Sequence, residues 1–191
     1  MRITGGSARG RVINGPAGLT ARPTASKIRQ AFFNILCNKT PHSCFLDLFA
    51  GTGLIGLEAL SRGAASLIAV EESSKLAHAI EADLRRLGFL GKVICADVRK
   101  VLPVLEPGSF DIIYADPPYA SQLACTVIAG VSRHELLKPD GILAIEHSRA
   151  DSLPDVDLAL SLFDRREYGQ TAVSFYRQVS TRQSSRTSSI N

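Results

Sequence analysis

The 191-residue chain has no tryptophan, one methionine and four cysteines, and Cys37, Cys44, Cys95 and Cys125 are scattered without a Cys-x-x-Cys pair. That spacing excludes a zinc ribbon and a disulfide scaffold, so the four are expected as reduced, buried thiols of a cytoplasmic protein. His42, His78, His134 and His147 show no metal-ligand spacing either. No metal is expected, and His147 is expected on the surface. No apolar run nears the roughly 18 residues of a membrane span, and the N-terminus is polar and glycine-rich where a signal peptide carries its apolar stretch. A membrane partner is therefore not expected. Fifteen glycines and nine prolines among 45% hydrophobic and 21% charged residues exclude collagen-like, disordered and coiled-coil classes and leave one globular domain. The most informative absence is of acid. Residues 1–46 hold seven Lys or Arg and no Asp or Glu, whereas the remainder holds 15 basic and 18 acidic residues. An acid-free segment on an otherwise mildly acidic domain points to a polyanion held by that segment, the alternative being a solvated face.

What is present alternates between short apolar runs and longer amphipathic stretches, the mark of βα units. Cys44–Leu48, Ser66–Val70, Lys92–Ala96, Phe110–Ala115 and Gly141–Glu146 read as buried strands, and Gly53–Arg62, Ser73–Leu87, Val98–Leu105 and Gln122–Leu137 as crossover helices. Runs near Ala159–Glu167 and Thr171–Val179, with only Tyr168-Gly169-Gln170 between them, should pair antiparallel at one edge. The expectation is an α/β, Rossmann-like fold with a seven-stranded, mostly parallel sheet and an antiparallel edge strand. Residues 1–40 add a small basic hairpin, Arg2–Gly5 with Gly10–Asn14, and a helix over Thr24–Cys37 with Thr24 as candidate cap. Residues 41–179 form the main domain, and 180–191, rich in Ser, Thr, Arg and Gln, a disordered tail.

Candidate chemistry begins where Phe45-Leu46-Asp47-Leu48 runs into Phe49-Ala50-Gly51-Thr52-Gly53. Glycines at the carboxyl end of a first parallel strand let the backbone approach a nucleotide. Gly51, Gly53 and Gly56 also spell the dinucleotide GxGxxG, but Asp47 just before the turn repels a pyrophosphate and suits an ammonium group. A cationic amino-acid ligand such as S-adenosyl-L-methionine satisfies that condition. Glu71, 24 residues after Asp47, and Asp97, 26 further on, end the second and third strands. They fall where a ribose diol and an adenine amine can be held.

The fourth strand ends in Asp116-Pro117-Pro118-Tyr119. Two prolines remove two backbone donors, so this loop offers acceptors to an exocyclic amine, with Tyr119 as a stacking face. Together with Arg2-Ile3-Thr4-Gly5-Gly6, Arg9-Gly10-Arg11, Arg22-Pro23-Thr24, Ile28-Arg29, Phe33-Asn34-Ile35-Leu36 and Gly56-Leu57-Glu58-Ala59-Leu60-Ser61-Arg62-Gly63, these motifs make residues 1–178 resemble the RsmD-type 16S rRNA (guanine(966)-N2)-methyltransferases, a class I S-adenosylmethionine-dependent family. Gln30 departs from that pattern, and the tail after Val179 looks specific to this chain.

The resemblance implies that Asp47, Gly51 and Gly53 cradle the methionine part of the cofactor, Glu71 holds the ribose and Asp97 the adenine, with Phe49 also binding the cofactor. Asp116, Pro117, Pro118 and Tyr119 would orient a guanine amine for in-line methyl transfer, and Arg2, Arg9, Arg11, Arg22 and Arg29 would hold phosphates. The implied partner is small-subunit ribosomal RNA, within a ribosomal particle, met by a monomer. Three alternatives stand beside this reading: an adenine N6-methyltransferase using the same tetrapeptide, an NAD(P)-dependent oxidoreductase using the glycines, and a non-catalytic RNA-binding assembly factor.

Overall fold

Five strands in parallel register, four of them largely buried, set the frame of the molecule. The computed structural model describes residues 1–14, 23–118 and 122–179. Its strands are β1 (Cys44–Leu48), β2 (Ser66–Glu71), β3 (Lys92–Cys95), β4 (Phe110–Ala115), β5 (Leu137–Ser148), β6 (Val156–Asp157), β7 (Leu160–Tyr168) and β8 (Thr171–Gln178), in the order β3-β2-β1-β4-β5-β8-β7-β6. The helices are α1 (Pro23–Ile35), α2 (Leu54–Ser61), α3 (Ser74–Leu87), α4 (Val98–Val101) with a following 3-10 turn (Leu102–Val104), and α5 (Leu123–Arg133). None of the described helices is long and apolar enough to cross a membrane.

Strand order reverses between β1 and β4, which run parallel with Asp47 beside Tyr114. The carboxyl ends of the strands at such a switch point leave a crevice open to ligands. Helix termini follow from local sequence. Ser73 caps α3 by accepting from the Leu76 amide, and Gly88 closes it at φ 70° behind Arg85 and Arg86, whose charges suit a helix C-terminus. Asp97 caps α4.

Apolar residues cover the sheet on both faces. One face joins α1, α2 and α3 through Phe32, Phe33, Leu57, Ile80, Tyr114 and Phe175. The other joins α4 and α5 through Leu46, Val98, Leu102, Ile113, Val127 and Tyr176. Ile3, Ala8 and Ile13 belong to the first cluster, so the hairpin expected at the N-terminus, paired through Arg2 and Val12, shares its core with the sheet.

The sheet has eight strands where seven were expected. The addition is β6, two residues long, which shows no alternation for a sequence to reveal. The antiparallel strand β8 lies inside the sheet between β5 and β7, and the antiparallel hairpin as a whole forms the edge region. α5 stops at Arg133 and β5 begins already at Leu137, with a bulge between the Phe110 and Ile112 pairings. Cys37, Cys95 and Cys125 are exposed and Cys44 is half-buried, against the expectation of four buried thiols. The side chains of Thr24, Arg22 and Tyr119, and residues 180–191, lie outside what is described.

Candidate active site

The turn after β1 is tight. Phe49, Gly51 and Gly53 have φ of 61°, 56° and 74°, and the Ala50 amide donates to the Val70 carbonyl at 2.9 Å. At Gly53 a Cβ would come within 2.8 Å of Ile80 Cγ1, and at Gly56 within 2.7 Å of Leu67 Cδ1. These two glycines let α2 settle against its neighbours, whereas Gly51 and Phe49 line a cavity of about 1160 Å³ above the strand ends. Positive φ at Phe49, a residue with a bulky side chain, is the kind of local strain that clusters at binding sites.

Asp47 is placed differently from the expectation that it faces the ligand. It is 1% exposed, behind the turn, and its Oδ2 accepts the Gly56 amide at 2.9 Å. Burial, only partly offset by that amide and increased by the nearby Glu71, pushes its carboxyl up to about 7. Asp47 therefore anchors the start of α2 beneath the cavity wall. Glu71 does reach the wall: its Oε2 accepts the Gly51 amide at 2.7 Å and its Oε1 the Ser73 amide at 2.8 Å. Asp97 also lines the cavity, chelated by the Arg99 guanidinium, which with the Arg99 amide holds its carboxyl down at about 2.

Asp116, Pro117 and Pro118 line the same cavity across from the glycine turn. Asp116 is accessible through the open mouth of the cleft. Its carboxyl is nonetheless pushed up, first by the walls around it and then by the Glu146 and Asp47 carboxylates. Glu146, at the end of β5, escaped the sequence reading although it too lines the cavity. Its Oε2 accepts the Tyr114 hydroxyl at 2.7 Å, and burial pushes its pKa up while that hydrogen bond holds it down. Its signal was an acid directly after Gly141-Ile142-Leu143-Ala144-Ile145, but one acid ending a strand resembles any polar boundary. His147, expected on the surface, is buried with Nε2 at 2.8 Å from Ser174 Oγ, and burial lowers its pKa.

The N-terminal segment docks on the helices flanking the cavity. Gly6, at φ 78°, has no room for a Cβ, which would lie 1.8 Å from the Ser61 carbonyl oxygen; Ser7 donates its amide to that oxygen at 2.7 Å. Arg2, Arg9 and Arg11 are exposed. Arg29 corrects the expectation of a phosphate clamp: it is 5% exposed, with Nε at 2.9 Å from Glu58 Oε2. A buried guanidinium ion-paired with a buried carboxylate has no access to RNA. Glu58 also receives Arg62 at 2.7 Å and the Thr4 amide at 3.2 Å, which fastens α1, α2 and the hairpin together.

Known proteins are similar to this chain over most of its length. The family model described as conserved hypothetical protein 95 matches residues 1–177. YlbH of Bacillus subtilis (strain 168), a candidate rRNA methyltransferase by its name, is 32% identical over 183 residues, 93% of this chain and 99% of its own. Ribosomal RNA small subunit methyltransferase D of Escherichia coli (strain K12) is 29% identical over 179 residues, 93% of this chain and 90% of its own. Among solved structures, yhhF of Escherichia coli, described as a candidate methyltransferase, superimposes with a TM-score of 0.82 at 28% identity, over 93% of this chain and 97% of its own. The sheet with its antiparallel edge is that of the class I methyltransferases. With its basic hairpin, glycine turn and Asp-Pro-Pro loop gathered on that scaffold, the chain belongs to the conserved hypothetical protein 95 family, the RsmD type of rRNA methyltransferase.

Proposed function

We propose that this protein methylates the exocyclic N2 amine of a guanine in small-subunit (16S) ribosomal RNA, guanine 966 being the position the family resemblance indicates, with S-adenosyl-L-methionine as donor. The observation that carries the reading is the convergence of the Gly51 turn and the Asp116-Pro117-Pro118 loop on one cavity at the switch point between β1 and β4. At about 1160 Å³ that cavity exceeds the roughly 300–1,000 Å³ of an ordinary small-molecule site, which leaves room for a cofactor and a flipped base together.

The residues present fit the cofactor. Gly51 and Phe49 offer a close backbone approach, and Glu71, its carboxylate oriented by the Gly51 and Ser73 amides, suits a ribose diol. Asp97 stays ionised beside Arg99 and can accept from an adenine amine. When bound, S-adenosylmethionine supplies the methyl group on a sulfonium that is already a strong electrophile, so the step needs no enzyme nucleophile and no metal. Asp116 and the Pro117 carbonyl hold the amine and support the positive charge that builds on it during attack. Asp116, with its raised pKa, then suits accepting the proton that the methylated amine sheds. Tyr119 follows Pro118 and would stack on the base. Exposed Arg2, Arg9 and Arg11, with Arg22, supply phosphate contacts to RNA in a ribosomal particle met by a monomer in the cytoplasm.

Transfer of labelled methyl to small-subunit particles followed by nucleoside analysis tests the proposal. N2-methylguanosine is the expected product. N6-methyladenosine would move the assignment to the adenine reading, and no transfer with tight NADH binding would move it to an oxidoreductase.

A further inference from the structure

Glu146 sits beside the amine loop, and the chemistry described so far leaves it without a task. β4 and β5 run parallel with Ala115 opposite Ile145. Asp116 directly follows Ala115 and Glu146 directly follows Ile145, where the two strands run about 4.8 Å apart, and both line the cavity. Glu146 is the more enclosed of the two at 8% exposure. Among the described residues it makes no ion pair, in contrast to Glu58 with its two arginines. What it has is Tyr114, whose hydroxyl donates to Oε2 from inside the core, the ring itself held edge-on against Phe32 at 5.0 Å. A buried tyrosine thereby fixes the direction of a carboxylate that borders the cavity.

A carboxylate accepts two parallel hydrogen bonds side by side. Guanine presents such a pair on its Watson–Crick edge, the N1–H and one N2–H. Adenine presents its N6 amine beside an N1 acceptor, whose lone pair a carboxylate repels. We infer that Glu146 reads the target base as guanine, accepting its N1–H and one N2–H, while Asp116 and the Pro117 carbonyl hold the amine's other hydrogen. Donation from the base favours the ionised form of Glu146, against the burial that raises its pKa. The Asp-Pro-Pro tripeptide alone is compatible with either purine amine; the residue one strand over chooses between them. This rests on the proposed guanine N2 methylation and gives it a basis for its selectivity.

The test compares the full-length parent with Glu146→Gln on reconstituted small-subunit particles. Their mapped target guanine is left intact or replaced, by RNA ligation, with 2-aminopurine, which keeps the 2-amine and turns N1 into an acceptor. The parent should methylate guanine at least about ten-fold faster than 2-aminopurine. Glu146→Gln should lower the guanine rate about ten- to a hundred-fold, as expected for the loss of a bidentate base contact. Its S-adenosylhomocysteine affinity and melting temperature should stay at the parent's. Its guanine-to-2-aminopurine ratio should narrow, because the new amide can donate to the N1 acceptor. Tyr114→Phe, which loosens Glu146 without removing it, should shift the ratio the same way by less, and keeps the question answerable if the first variant misfolds. Equal parent rates on both bases, an undiminished guanine rate in Glu146→Gln, or equal losses on both bases would overturn the inference. A parent that methylates a base other than guanine fails earlier and identifies the functional reading as the error.

Discussion

Two groups of carboxylates lie within this protein, and they do opposite work. Glu58 on α2 and Asp83 on α3 are both fully buried and both met by arginines and by the N-terminal hairpin: Glu58 by Arg29, Arg62 and Thr4, Asp83 by Arg86 and the Asn14 amide at 2.8 Å. Asp47, Asp116 and Glu146, at the ends of β1, β4 and β5, make no ion pair among the described residues. All three have raised pKa values, because burial disfavours the charge of Asp47 and Glu146, the cleft walls disfavour that of Asp116, and their neighbours are carboxylates or neutral donors. Enclosure alone does not mark a functional acid. The partner does: a guanidinium turns a buried acid into a fastener, and its absence leaves an acid with a raised pKa.

The sharpest way to break that contrast is at Glu58. Glu58→Ala leaves Arg29 buried without a counter-charge and should cost about 3–5 kcal/mol of stability, read from urea unfolding. A loss below about 1 kcal/mol would show that the network is not a fastener. Asp116→Ala should act in the reverse sense, lowering single-turnover methyl transfer about 100- to 1,000-fold while the unfolding midpoint and S-adenosylhomocysteine affinity stay near the parent's. A parent-like rate would remove Asp116 from the amine clamp.

Asp47 sharpens the comparison through pH. Its folded pKa of about 7 lies above its ordinary value of 3.8, so between those values the native state binds more protons than the unfolded chain and stability falls as pH rises. Asp47→Asn, which can keep the Gly56 contact, should therefore gain stability over the parent with increasing pH, by up to about 1.4 kcal/mol per unit in that window. His147 titrates in both proteins and drops out of the difference. A flat difference would show that Asp47 titrates normally. The smallest effect is expected on the hairpin surface. Neutralising Arg9, Arg11 and Arg22 together should reduce the log–log salt slope of RNA binding by about 0.7–0.9 per lost phosphate contact, with cofactor affinity unmoved. An unchanged slope would reduce the basic segment to a solvated face.

Legibility followed physical range. β1 and β4 were readable to the residue because a short, largely apolar run that opens after a serine is a local signal. The Asp-Pro-Pro loop was readable because proline acts on its own backbone. β6 was not, being two residues, and neither was the early start of β5, where Lys138-Pro139-Asp140 fell between the expected helix and strand but is carried in the strand at a register shift. Arg29 was misread for a different reason. Its charge said polyanion, yet the acid that claims it is Glu58, 29 residues away in sequence and one helix away in space.

The parallel sheet, the glycine turn, the acids at successive strand ends and the basic N-terminal segment could be read from neighbouring residues alone, since each is written in them. Packing set which acids are unpaired and which are tied. It put Asp47 behind the turn instead of on the cavity wall, set Glu146 beside Asp116 through strand register, and buried Arg29 against Glu58. The physical reason is that a carboxylate's state depends on its desolvation and its nearest charge, and both are supplied by residues that chain order keeps far apart and packing brings together.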